Sequence, residues 1–72
     1  MTLKEVIRAW ENVSWESTIL IEFYNKYNNY TGALKISVNE INKPTSPYHD
    51  LLNKTVFQFR KSVNGIRIRC LN

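Results

Sequence analysis

Cys70 is the only cysteine in the chain, so no disulfide can form within it, and the staple that holds many small secreted domains is excluded. There is one histidine, His49; with so few nitrogen and sulfur ligands, no zinc spacing can be written. Two glycines and two prolines leave no glycine-rich loop to cradle a phosphate and no linker to separate domains. Acidic residues number six against ten lysines and arginines. Glu5, Glu11, Glu16, Glu22, Glu40 and Asp50 show no paired spacing of the kind acid–base catalysis uses. No apolar run approaches the roughly 20 residues that span a bilayer. The N-terminal stretch also lacks a basic region followed by an apolar segment, so a cytoplasmic setting without membrane attachment is expected.

What remains is a chain of 72 residues, 43% hydrophobic and 22% charged, which is apolar enough to fold. That length allows one thin core, so residues 1–72 are read as a single small domain. A thin core makes a water-excluding pocket unfavourable. His49, between Tyr48 and Asp50, has no partner motif linking it to Cys70. No enzyme, cofactor or metal is expected.

Thr2-Leu3-Lys4-Glu5 fits a capping box, in which the Thr2 hydroxyl and the Glu5 carboxylate satisfy each other's amides. Leu3, Val6, Ile7 and Trp10 then form one apolar stripe of a helix lasting about two and a half turns. Ile19, Ile21 and Phe23 alternate with Thr18, Leu20, Glu22 and Tyr24, the pattern of a half-buried strand, and Leu34, Ile36 and Val38 repeat it. A two-residue turn at Asn28-Asn29 would pair Phe23 with Leu34, Ile21 with Ile36, Ile19 with Val38 and Glu22 with Lys35. A competing register places Gly32 in a longer loop. Residues 39–54 hold both prolines and read as a connection, with a short helical turn started by Ser46 and Pro47 and carrying Leu51 and Leu52 into the core. Asn64-Gly65 between Thr55–Val63 and Ile66–Leu71 is a tight hairpin signal. That hairpin would pair Val63 with Ile66, Lys61 with Ile68 and Phe59 with Cys70 on one face, the core face apart from Lys61. The expected fold is α+β: an N-terminal helix packed on a four-stranded, mostly antiparallel sheet made of two hairpins, with the other sheet face open.

The same register puts Arg60 opposite Arg69 and Ser62 opposite Arg67 on the open face. Like charges across a strand pair repel, so Arg60, Arg67 and Arg69 suggest an anionic partner, a phosphate or a carboxylate. A solvated face whose repulsion is screened by salt is the plainer reading. If Phe57, Phe59, Ile66 and Ile68 were exposed, the hairpin and the arginine face would fail together. Tyr24, Tyr27, Tyr30 and Lys26 gather near the first hairpin tip, where exposed rings suit a protein interface or nucleobases, and where Tyr27 and Tyr30 could also pack on each other across the strands. Trp10 reads as core; Trp15 lies in the bend before the first strand. The net charge of +4 steers toward anions without identifying one.

The opening Thr2-Leu3-Lys4-Glu5-Val6-Ile7, the strand after it, the segment Pro47-Tyr48-His49-Asp50-Leu51-Leu52-Asn53-Lys54-Thr55-Val56 and the closing Ile66-Arg67-Ile68 resemble in layout short phage and prophage accessory proteins of low-GC Gram-positive bacteria. The resemblance covers most of the chain and carries over no functional residue. It implies an inhibitor of host defence or a modulator of a host enzyme, of which the anti-CRISPR proteins, small non-enzymatic binders, are one group. A basic chain does not fit mimicry of DNA. The expected partner is a host protein, such as a defence nuclease or its nucleic-acid complex. The alternatives are a small basic nucleic-acid-binding module, using the same arginines on phosphates and tyrosines on bases, and a self-associating structural subunit that pairs an edge strand in a homodimer.

Overall fold

The computed structural model describes residues 1–10, 13–14, 16–62 and 65–71. Its fold is α+β, a four-stranded mixed sheet with short helices on one face. Helix α1 spans Leu3–Ala9 and opens with the expected capping box: Glu5 N donates to Thr2 Oγ1 and Thr2 N to Glu5 Oε1. It buries Leu3, Val6 and Ile7. The helix is shorter than expected, because Trp10 already has an extended backbone and serves as its C-cap. The Trp10 ring packs against the core from a half-buried position.

Strand β1 (Thr18–Tyr24) pairs antiparallel with β2 (Tyr30–Ser37) and parallel with β4 (Gly65–Leu71), which pairs antiparallel with β3 (Val56–Ser62). The order is β2-β1-β4-β3. The sheet is therefore mixed rather than mostly antiparallel. Alternation along a strand fixes which face each residue takes but says nothing about a neighbour's direction. Burial decides that here: β1 and β4 carry Ile19, Ile21, Ile66, Ile68 and Cys70, all buried, and they take the centre, where both edges are bonded. β3 has several exposed side chains and takes the edge.

The first register differs by two residues from that expected: Ile19 faces Ile36, Ile21 faces Leu34, and Phe23 faces Gly32. Glu22 accordingly faces Ala33, and Lys35 faces Leu20. The connection runs over residues 25–29, closed by Asn25, whose Oδ1 accepts from Tyr27 N and Asn29 N at 2.9 and 3.0 Å. Asn28 sits at φ 65°, which asparagine tolerates. A bulge follows between Phe23 and Tyr24, where the Thr31 hydroxyl donates to Phe23 O. Gly32 lies in β2, not in the loop.

The second register also slips by two: Phe59 faces Ile68, Arg60 faces Arg67, and Gln58 faces Arg69. The expected pair Val63–Ile66 and the turn residue Asn64 lie outside the described residues, as does Trp15. Gly65 is a strand residue at φ 158°, where a Cβ would collide with the Thr18 carbonyl across the parallel pair. Its glycine serves that close approach. A slip of two preserves faces, so Ile19, Ile21, Ile36, Ile66, Ile68 and Cys70 stay inside.

The connection from β2 to β3 holds a helix that was not expected, α2 (Val38–Asn42), capped by Ser37 Oγ on Glu40 N at 3.1 Å. Val38 is the first residue of this helix and not the end of a strand; it and Ile41 are buried. A 3-10 helix over His49–Asn53 follows Ser46 and Pro47 as expected and buries Leu52. Helices α1, α2 and the 3-10 helix contribute Leu3, Val6, Ile7, Val38, Ile41 and Leu52 to one core with Ile19, Ile21, Ile36, Val56, Ile66, Ile68 and Cys70. Phe57 and Phe59 are 45% and 44% exposed, while Ile66 and Ile68 are buried. Phe59 lies on the core side at an edge the helices leave uncovered, and the bulge between Val56 and Gln58 brings Phe57 against the Tyr24 ring on the opposite face.

The open sheet face

Three rows of side chains run across the sheet face that turns away from the core. The first is Arg60, Arg67, Leu20 and Lys35, one from each strand in the order β3-β4-β1-β2. The second is Gln58, Arg69, Glu22 and Ala33. The third is apolar and aromatic: Phe57, Leu71, Tyr24 and Tyr30, with Tyr24 paired to Leu71 and Tyr30 and its ring edge-on to Phe57 and Tyr30, centroids 5.6 and 5.9 Å apart. Arg60, Arg67 and Arg69 thus share the open face, but Arg60 opposes Arg67 and not Arg69.

Among the described residues the face is basic, with four cations set against the single carboxylate of Glu22. The three arginines are not equally unsatisfied. Arg69 donates from Nε to Glu22 Oε1 at 3.3 Å and from an Nη to Gln58 Oε1 at 2.8 Å, and its guanidinium lies 5.5 Å over the Tyr24 ring. Glu22 also lies 4.0 Å from Arg67 Nε, at the limit of an ion pair. Arg60 and Lys35 have no ion-pair partner among the described residues. Repulsion is therefore answered at Arg69, partly at Arg67, and not at Arg60. A shallow depression of about 330 Å³ lies over the first row, bordered by Thr18, Leu20, Lys35, Arg60, Gly65 and Arg67. Another, of about 150 Å³, lies between Gln58, Arg60, Arg67 and Arg69.

The tyrosines separate into two sets. Tyr24 and Tyr30 join the sheet face, where Tyr30 is 58% exposed. Tyr27 stands at the loop tip, 71% exposed, with Lys26 Nζ 5.1 Å over its ring. The ring contact in this region is Tyr24 with Tyr30, in place of Tyr27 with Tyr30. The edge pairing of Tyr24 with Tyr30 puts those two rings together, whereas Tyr27 lies within the loop. Glu22 and Lys35 stand on the outward face as expected, though not opposite each other, and Phe57, expected on the core side, is the unforeseen member. The alternation places Lys35 and Glu22 there, but only the parallel pairing of β1 with β4 brings Glu22 to Arg69. The bulge that turns Phe57 outward leaves no sequence signal.

The other chemically active side chains have structural surroundings. His49 Nδ1 lies 3.1 Å from Ile41 O; a carbonyl only accepts, so this nitrogen carries the proton and ties the 3-10 helix to α2. The Cys70 thiol is wholly buried, and burial pushes its pKa up to about 11. Among the described residues no group of three His, Cys, Asp or Glu side chains is placed to hold a metal ion, and no helix is long and apolar enough to cross a membrane. A scan against protein-family models, a search of curated proteins and a search of solved structures each return no match to this chain.

Proposed function

We propose that this chain is a small non-enzymatic accessory protein of the phage type, acting in the host cytoplasm, that inhibits or modulates a host defence protein or that protein's nucleic-acid complex by surface binding. Its contact surface is the open face of the sheet. The observation that carries this reading is the asymmetry of the two faces. Among the described residues three helices cover one, while the other keeps Arg60, Arg67 and Lys35 in one uncovered row with a single carboxylate nearby. The two antiparallel pairs are read as hairpins that fix this row, and Arg60 and Arg67 as its binding residues, with Arg69 held as a support.

A second reading, a nucleic-acid-binding module, is favoured by the third row, since exposed rings beside arginines match the combination that nucleic acids engage. Capture from a host lysate, with and without nuclease treatment, tests the proposal when wild type is compared with an Arg60→Ala, Arg67→Ala, Lys35→Ala variant. A partner retained by wild type and lost by the variant is the expected outcome. Equal capture by both would remove the open face from the account.

A further inference from the structure

We infer that the open sheet face binds single-stranded nucleic acid, its phosphates on Arg60, Arg67 and Lys35 and its unstacked bases on Tyr30 and Phe57. This rests on the open face being the working surface and specifies what that surface takes. The first row crosses three inter-strand steps, so Arg60 and Lys35 lie about 14 Å apart at about 4.8 Å per step. From Leu20 to Tyr24 is four residues along β1, which puts the aromatic row about 13 Å from the cationic row at about 3.3 Å per residue. A ligand that uses both must carry anionic groups and flat apolar groups on one extended chain. Single-stranded nucleic acid has that chemistry.

The alternatives fit less of the face. An acidic peptide would use the cations and leave Tyr30 and Phe57, 58% and 45% exposed, without a function; its carboxylates offer nothing for a ring to stack on. A duplex would meet the same cations, but its bases are stacked on one another and cannot reach the rings. The face is also partly organised before any ligand arrives. Tyr24, less exposed than its neighbours, is held between Phe57 and Tyr30 by edge contacts and under the Arg69 guanidinium. Glu22 and Gln58 hold Arg69 in turn. Arg69 is therefore a positioning residue for the aromatic row, whereas Arg60 and Lys35, with no ion-pair partner among the described residues, are open to phosphate.

Fluorescence anisotropy with a labelled twelve-nucleotide single strand, the matching duplex and a poly-glutamate peptide tests this. The single strand is expected to bind more tightly than the other two, its log affinity falling with log salt at a slope of roughly 2 for three phosphate contacts. Tyr30→Ala and Phe57→Ala should each weaken the single strand about 5- to 100-fold, as loss of one stacked base does, and leave duplex binding unchanged; Phe57→Tyr, which keeps a ring, should retain binding. Arg60→Ala should weaken the single strand and the duplex alike. Equal binding of single strand and duplex, untouched by the ring variants, would overturn the inference while leaving the open face in place. So would preferential binding of poly-glutamate that Arg60→Ala abolishes. If no variant on this face changed the binding of any probe, the inference and the functional reading beneath it would both fall. Circular dichroism of each variant verifies that these surface substitutions leave the fold intact.

Discussion

Glu22 on β1 and Arg69 on β4 face each other across the parallel centre of the sheet, joined by an Nε–Oε1 hydrogen bond of 3.3 Å. Among the described residues Glu22 is the one carboxylate on the basic face. The Arg69 side chain is 37% exposed and that of Glu22 17%, so the pair is worth little net stability after screening, within about 1 kcal/mol. Glu22→Gln should therefore barely move the denaturant midpoint. Affinity for an anionic ligand should rise, because one opposing charge is removed. Weaker anion binding by this variant would contradict the charge assignment.

Gly65 tests the parallel pairing. A Cβ at this position would strike the Thr18 carbonyl, and the backbone sits at φ 158°. Gly65→Ala should destabilise by about 1 to 3 kcal/mol. Gly32→Ala, with nothing within 4 Å of its Cβ position, should lose less. Chemical denaturation of the two variants reads the difference; equal losses would mean that β1 and β4 are not packed as described.

The Cys70 thiol gives a pH signature. Burial raises it from 9.0 to about 11, against a small opposing pull from Lys54. The folded state therefore holds its proton where the unfolded chain has lost it. The stabilisation is complete below pH 9.0 and fades as pH rises through about 11. In the native protein at pH 8 the thiol should resist a disulfide reagent until denaturant is added. Rapid labelling without denaturant would place Cys70 outside the core.

The capping box makes the opposite prediction at low pH. The Thr2 backbone amide, and after it the Thr2 side chain, hold the Glu5 carboxyl below 4.5. Its contribution is present above pH 4.5 and is lost as pH falls through the lower folded value. Thr2→Ala should cost about 1 kcal/mol at neutral pH, and Glu5→Gln, which removes the titrating carboxyl, should flatten the acid limb of the stability curve. An unchanged acid limb would show that Glu5 does not cap the helix.

The legibility of this chain follows from the range of the forces involved. Local rules located α1, its cap, β1, the 3-10 helix and the inward face of Ile19, Ile21, Ile36, Ile66, Ile68 and Cys70, because periodicity and capping depend on neighbours a few positions away. The bulge beside Phe57 reverses the alternation there, so Val56 is buried and Phe57 turned outward. Local rules also put Arg60, Arg67 and Arg69 together on the open face, and a two-residue slip in each register left that unchanged. Non-local facts were out of reach. Nothing near Ile19 signals that its parallel neighbour is Ile66, 47 positions later. Asn64-Gly65 reads as a turn pair, yet Gly65 belongs to the strand, where the Thr18 backbone approaches it from β1. The start of α2 was legible and overlooked: Ser37-Val38-Asn39-Glu40 has the spacing of a capping box, hidden because Val38 also continues the alternation of β2.

The central claim is that the open sheet face is the working surface. The most direct measurement is a map of backbone amide shifts in isotope-labelled protein titrated with inorganic polyphosphate, a probe that makes no use of bases. The account predicts shifts concentrated at Leu20, Glu22, Lys35, Arg60 and Arg67, with the helical face silent. Shifts centred instead on Lys4 and Arg8 of α1, or on Lys43 and Lys54, would contradict it.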